Sequence, residues 1–296
     1  MSLQIPNDPL VQMIETLDLQ SAGNSSRDED LFIGPSQWMP HGRVFGGQVL
    51  AQSLVAASRT IENRNVHSMH GYFLRPGNME LPITFSVDRL RDGRSFSTRR
   101  VQAFQSDVPI FSMIASFQEE DPGLEHQDDF PSGIPDPESL PSAADLIGDN
   151  PHPVAQYWAK ARPFDMRHVD SPIYFSVEGN PVAHQAVWLR ALGPMPDDQS
   201  LHTAALAYAS DYSILESIYR RHSIAWSHPG LKSASLDHAM WFHRPAKVDQ
   251  WMLYVQESPS AQGGRGLALG RIFNSRGELL ATVAQEGMVR VPEMRK

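Results

Sequence analysis

The chain has 296 residues, 41% of them hydrophobic, and carries 34 acidic against 25 basic side chains for a formal charge of −9. No apolar run approaches the roughly 18 residues of a membrane span, and an acidic chain is a poor partner for nucleic-acid phosphates, which demand a cationic face. There are no cysteines, which removes disulfides, Cys-ligated zinc and thiol nucleophiles together and fits a reducing compartment. The segment Met1 to Pro6 has neither the basic stretch nor the apolar core of a secretory leader, and Glu293 to Lys296 is not a peroxisomal address. A cytoplasmic protein is expected.

Along the chain, residues 8–20 place Leu10, Met13, Ile14 and Leu17 at helical spacing and predict a short amphipathic helix. A polar stretch from Ser21 to Asp30 reads as disordered, and Leu31 to Gly34 as a first strand. Phe45-Gly46-Gly47-Gln48 then leads into Val49 to Ile61, a run apolar on nearly every side that predicts a helix buried on nearly every side. Period-two alternation over Ile83 to Asp88 marks a half-buried strand, followed by strands over Phe96 to Phe104 and Ile110 to Gln118 joined as a hairpin. Arg89, Arg91, Arg94, Arg99 and Arg100 cluster here, either as a solvated strand face or as a landing site for an anionic small molecule.

From Glu119 to Pro153 the texture becomes acidic and dense in Pro and Ser, a linker ordered in places. The aromatics Tyr157, Trp158, Phe164, Tyr174 and Phe175 imply that residues 154–182 dock back on the body. His184 to Ala191 predicts a strand, Leu201 to Arg220 a second long helix, and Ser235 to Phe242 and Trp251 to Gln256 strands beside it. Gly266 to Phe273 and Leu279 to Val291 make a closing hairpin.

The chain also repeats itself. Tyr72-Phe73-Leu74-Arg75-Pro76 returns as Trp241-Phe242-His243-Arg244-Pro245, an offset of 244 − 75 = 169 that also carries Phe104 onto Phe273 and Ala115-Ser116 onto Ala284-Gln285. Internal repeats decide the architecture. A strand, a buried helix and an antiparallel meander occurring twice predict an α+β double hotdog, two antiparallel sheets each wrapped around a long helix. Joined edge to edge, such units bury strand edges that either alone would expose. The expected units are residues 1–120, a linker segment 121–182, and a second hotdog unit 183–296. A duplicated scaffold needs one working site, and Gln285, opposite Ser116, points to the second half.

Phe45-Gly46-Gly47-Gln48-Val49, Val66-His67-Ser68-Met69-His70-Gly71-Tyr72-Phe73-Leu74-Arg75-Pro76-Gly77 and Arg91-Asp92-Gly93-Arg94-Ser95-Phe96 resemble acyl-CoA thioesterase II, the TesB-like family. In the second half Ala209-Ser210-Asp211, Leu236-Asp237-His238-Ala239-Met240-Trp241-Phe242-His243-Arg244-Pro245 and Gln285-Glu286-Gly287 agree, so the resemblance runs from about residue 31 to residue 291. It implies hydrolysis of fatty acyl-CoA thioesters by a water held by an Asp, a Thr or Ser, and a Gln. Carried over, these are Asp211, Ser235 and Gln285, with Ser standing where many members carry Thr. The resemblance further implies acyl-CoA as the partner and association into a homo-oligomer.

Read without the family, each residue is ordinary. Asp211 sits late in an apolar helix, either as a hydrogen-bonded buried carboxylate or as a helix-end residue facing solvent. Ser235 alone is a routine strand serine, and Gln285 interrupts an apolar strand where its amide needs partners. A thioester is activated enough to need no covalent nucleophile: a carboxylate accepts the proton of attacking water, Ser and Gln orient it, and no cofactor or metal is called for. Gly46 and Gly47, at a helix N-terminus, are expected to allow close substrate approach near oxyanion-stabilising amides. His67 is the candidate for a supporting role among His67, His70, His184, His202, His238 and His243, against a purely structural hydrogen bond. His67 and His70 fall on opposite strand faces, so they do not form a metal pair. Gly264 to Gly270 precedes a strand and so fails as a dinucleotide loop, and no G-x-S-x-G elbow is present. The sequence leaves two rival readings. One is an enoyl-CoA hydratase, disfavoured because Leu215, not a His, lies one turn beyond Asp211. The other is an acyl-CoA-binding protein without turnover.

Overall fold

The computed structural model describes residues 6–25 and 29–292. Helix α1 (Pro9–Leu17) starts at Asp8, whose carboxylate accepts the Leu10 amide at 2.9 Å, with Pro9 supplying a pre-set φ for the first turn. It buries Leu10, Met13 and Leu17, the stripe that its spacing predicts. Strand β1 (Gln20–Asn24) pairs with β2 (Asp30–Gly34), so the stretch expected to be disordered is in part a strand, and Leu31 to Gly34 belongs to the second strand, not the first. All five β1 residues are exposed; its order comes from backbone pairing, which leaves no apolar signature in sequence. Residues 26–28 of that stretch lie outside the described residues.

Helix α2 (Gly46–Ser58) buries ten of its residues, among them Leu50 and Leu54, each worth roughly 1.5–3 kcal/mol when fully removed from water. Its buried Gln48 and Gln52 are hydrogen-bonded: both amides reach Pro35 O, at 3.0 and 2.9 Å, and Gln52 also reaches Thr16 O. They tie the helix to the chain before it. Strands β3 (Asn65–Phe73), β4 (Ile83–Asp92), β5 (Phe96–Gln105) and β6 (Val108–Gln118) lie against α2. The β5–β6 turn is made by Ser106 and Asp107, both at positive φ, the conformation a two-residue hairpin turn needs.

The connecting segment contains α3 (Ala143–Ile147), α4 (Pro153–Lys160) and β7 (Phe164–His168). It docks at several points. Phe130 packs on Trp188 and Phe273, Tyr174 O accepts the Ser227 amide at 3.0 Å, and Gln127 Nε2 donates to Gly277 O at 2.8 Å.

The second half runs β8 (His184–Ala191), α5 (Gln199–Ser210), α6 (Glu216–Arg221), β9 (Lys232–Ser235), β10 (Asp237–Phe242), β11 (Met252–Gln262), β12 (Arg265–Asn274) and β13 (Leu279–Arg290). Two expectations are corrected here. The helix expected over Leu201 to Arg220 ends at Ser210, and α6 is a separate helix packed on β8, β11 and β12. The intervening Tyr212, Ile214 and Leu215 are all buried, so the hydrophobic pattern runs on unbroken while the backbone turns. The strand expected over Ser235 to Phe242 is broken at Leu236, which bonds to both sides: its amide to Glu286 O and its carbonyl to Phe73 N, each at 2.9 Å.

All strands join one antiparallel sheet in the order β1-β2-β4-β5-β6-β3-β10-β13-β12-β11-β8-β7, with β9 on β13. At its middle β3 pairs with β10, and His70 sits opposite Ala239, its own repeat mate (239 − 70 = 169). Ser68 faces Trp241 and Tyr72 faces Asp237, each the mate of the other's partner. A pseudo-two-fold axis therefore passes through the His70–Ala239 pair. Helices α2 and α5 pack on each other, and one hydrophobic core spans both halves.

Candidate active site

Breaks in α5–α6 and β9–β10 bring three polar residues together. Asp211 caps the C-terminus of α5, Ser235 is the last residue of β9, and Gln285 lies on β13. Asp211 Oδ1 accepts Ser235 Oγ–H at 2.9 Å and Gln285 Nε2–H at 2.9 Å, and Gln285 Nε2 also donates to Ser235 Oγ at 3.0 Å. The three side chains form a closed triangle. Asp211 and Ser235 line a cleft of about 770 Å³, with Gln285 behind them at 1% exposure.

Gly46 belongs to the same place. A Cβ there would sit 2.6 Å from Asp211 Oδ2, so the carboxylate occupies space that any side chain would take. At Gly47 a Cβ would meet Tyr208 O at 2.3 Å, so this glycine lets α2 and α5 approach. Phe45 fixes the entry to α2 by stacking on Tyr212 at 4.6 Å.

Electrostatically, Asp211 is pulled both ways. Burial raises its pKa above the ordinary carboxylate value, while His238, Gln285, Ser235 and the Gly47 amide pull it back, and burial prevails. Its seat at the C-terminal, negative end of α5 acts in the raising direction, and the nearby N-terminus of α2 opposes it. The result is a carboxylate of increased basicity facing a cleft.

His238 supports this triangle, and its role is not singled out in the sequence reading. Its Nδ1 bonds Gln285 Oε1 and its Nε2 lies 3.0 Å from Ser210 Oγ. Burial lowers its pKa while the Asp211 carboxylate pulls the other way, and burial prevails; the neutral ring has one proton. With that proton on Nδ1, His238 donates to Gln285 Oε1 and turns the amide so that Nε2 faces Asp211 and Ser235. The signal available in sequence was a His three residues after Ser235, hidden by five other histidines near the motifs.

The remaining candidates stand elsewhere. His67 Nε2 lies 2.9 Å from Ser116 Oγ, in a separate cleft of about 1000 Å³. The arginine cluster on β4 and β5 is largely consumed: Arg89 pairs with Asp30, Arg100 with Asp88, and the buried Arg99 with Asp92. Among the described residues no helix is long and apolar enough to cross a membrane.

A family model for acyl-CoA thioesterase matches residues 160–288, and one for the acyl-CoA thioesterase N-terminal domain matches residues 34–118. Human acyl-coenzyme A thioesterase 8 is 41% identical over 278 residues, covering 89% of this chain and 86% of its own. The chain belongs to the acyl-CoA thioesterase family. Within that family it is an enzyme, a thioester hydrolase. The acyl-CoA thioesterase II TesB2 of Mycobacterium marinum is 40% identical, with a TM-score of 0.73 over 96% of this chain and 99% of its own. A hot dog fold protein from Alicyclobacillus acidocaldarius, 18% identical, superposes with a TM-score of 0.77 over 95% of this chain and 98% of its own, a likeness of fold alone.

Proposed function

We propose that this thioesterase hydrolyses fatty acyl-CoA to a fatty acid and free CoA through a water activated by Asp211 and oriented by Ser235 and Gln285. The observation carrying this reading is the triangle of mutual hydrogen bonds at 2.9–3.0 Å beside a cleft. A water bound at Asp211 gives its proton to the carboxylate as its oxygen attacks the thioester carbonyl, a contribution of about 10²–10⁴-fold. The tetrahedral oxyanion forms against the N-terminal end of α2, whose dipole favours negative charge. Collapse breaks the C–S bond, and the proton held by Asp211 passes to the departing sulfur. Atoms and charge balance with no cofactor.

The architecture we propose for this chemistry is the double hotdog, with units at residues 1–120 and 183–296 and residues 121–182 as the linker between them. The repeat-matched pairing of β3 with β10 supports it. A homo-oligomer is supported by Tyr72, Ile114 and Trp241, all exposed near the pseudo-two-fold axis, and a cytoplasmic setting by the absence of cysteine.

Thiol release from acyl-CoAs of graded chain length, for wild type and Asp211→Asn side by side, tests the reading. Turnover that largely vanishes in a folded Asn variant supports it. An unaffected variant moves the base elsewhere, with His67 next to examine, and wild-type binding without thiol release makes the chain a binding protein.

A further inference from the structure

The cleft that Asp211 lines also holds a cation that water activation leaves unused. Arg162, between α4 and β7, lines the same cleft and is only 7% exposed. Its Cζ lies 4.8 Å from the Tyr212 ring centroid and 6.0 Å from that of Tyr157, so aromatic faces cover the guanidinium. Its hydrogen-bonding edge is poorly served. Nη1 reaches the Met166 sulfur at 3.3 Å, a weak acceptor, and Nε has no partner.

Among the described residues no anion pairs with it at contact. Glu216 feels its charge, but the Glu216 oxygens are held by His168 at 2.9 Å, Trp226 at 2.9 Å and Gln185 at 3.3 Å. The hydroxyls of Tyr174 and Tyr212 beside it make no well-aligned hydrogen bond; that of Tyr174 meets Arg162 and that of Tyr212 meets Tyr157 only loosely. Burial pushes Tyr174 up to about 12 and Tyr212 well above its ordinary value, so neither is a phenolate counter-ion. A guanidinium has five N–H donors, buried polar groups are normally paired, and a buried charge stripped of its partner is strongly unfavourable. Packing between tyrosines accounts for the faces of Arg162, while its nitrogen edge has only the Met166 sulfur and a loose contact with the Tyr174 hydroxyl, with Nε unpartnered. An oxyanion entering the cleft would satisfy that edge.

Resting on the hydrolase reading above, we propose that Arg162 is an oxyanion-recognition point of the substrate cleft, binding a carboxylate on the acyl chain or a phosphate of CoA. The two sources share one chemistry. The carboxylate is favoured by depth: Arg75, exposed, and Arg43 line the same cleft nearer solvent, where bulky hydrated phosphates can meet them. Arg162, at 7% exposure, lies among aromatic rings, surroundings that suit an apolar stem better than a hydrated phosphate.

The test measures kcat/KM for wild type, Arg162→Met and Arg162→Lys on three thioesters of equal chain length. These are a plain acyl-CoA, an ω-carboxyacyl-CoA, and the plain acyl thioester of N-acetylcysteamine, which has no phosphate. With a carboxylate source, Arg162→Met loses about 10–100-fold on the ω-carboxy substrate and stays within about twofold on both plain ones. Arg162→Lys keeps part of the preference, since charge survives and the planar fork does not. With a phosphate source, both CoA thioesters fall together and the N-acetylcysteamine ester does not. Three unchanged values, or three that fall by one factor, overturn the proposal, the second because it marks a structural role. If wild type turns over none of the three, the hydrolase reading fails by itself, and calorimetric Kd ratios for the same compounds decide Arg162 on the same criteria.

Discussion

The two halves present the same strands and opposite chemistry at matching places. By the offset of 169, Gln285 and Leu236 of the second half correspond to Ser116 and His67 of the first (285 − 116 and 236 − 67). In the second half Gln285 joins Asp211 and Ser235 in a bonded triangle; in the first, His67 and Ser116 bond each other at 2.9 Å. Each half contributes to a cleft, and the His67 cleft is the larger, about 1000 against 770 Å³. Its cations Arg59, Arg64 and Arg244 are tied to Asp18, Glu119 and Glu125. Cavity size therefore does not distinguish the two places. What differs is a basic carboxylate held by an amide and a hydroxyl, present at one and missing at its repeat image. On the proposed mechanism, the repeat keeps its scaffold in both halves while one copy bears the demands of chemistry.

The comparison breaks most sharply at Asp211. Asp211→Asn is expected to lower kcat by about 10²–10⁴-fold while the protein stays folded, because the amide retains the acceptor oxygen that Ser235 and Gln285 use. Thiol release and a melting curve together check this. In the wild type, kcat/KM is expected to fall as pH drops and Asp211 takes up a proton. Because burial raises its pKa, the fall begins at a higher pH than for an ordinary aspartate, and the residual activity of the Asn variant lacks that limb.

Next in size is Gly46→Ala. In a helix alanine is favoured over glycine by about 1 kcal/mol, so stability should not suffer from propensity. The new Cβ, however, would lie 2.6 Å from Asp211 Oδ2, and a carboxylate displaced by an ångström can cost on the order of 10²-fold. An active Gly46→Ala enzyme with unaltered kcat would mean that the Asp211 carboxylate is not where the reaction needs it.

How far this asymmetry could be read in sequence depends on the physics of each element. The buried helix α2 and the meander β4–β6 were legible because burial writes a period into the residues. The triangle was legible only through the resemblance, since Asp211, Ser235 and Gln285 are far apart in the chain and each is unremarkable alone. Three things were not legible. Strand β1 has no buried face; the turn after Ser210 is masked by Tyr212, Ile214 and Leu215, which are buried either way; and His238 acts through a ring nitrogen whose partner lies 47 residues on. Hydrophobic periodicity reports which side of an element faces the core. It does not report where an apolar helix bends, and the bend is what places Asp211.

His238 gives a smaller, more diagnostic effect. His238→Ala frees the Gln285 amide to rotate and is expected to lower kcat about tenfold with little change in KM, the loss of one orienting hydrogen bond. His238→Asn, which can still donate to Gln285 Oε1, is expected to recover part of it. An equal loss in both variants would make the ring a packing element instead.

The smallest effect is the one that tests the comparison from its other side. Ser116→Ala removes the hydroxyl at the repeat image of Gln285 and releases His67 from its 2.9 Å contact. If the halves have truly divided their labour, kcat and KM should both stay within about twofold of wild type, as for a residue outside the reacting groups. The expected cost is confined to stability, about 0.5–1.5 kcal/mol for one hydrogen bond, read as a modest drop in melting temperature. A tenfold loss of kcat would instead mean that the two clefts communicate through the β3–β10 seam. Ser116 faces Ser68 across the β6–β3 ladder, and Ser68 in turn faces Trp241 on β10, so a short path of paired residues exists for such coupling. Unchanged kinetics would show that this path is silent, and that the first half serves the reaction as scaffold through α2 and Gly46 rather than through its own polar pair.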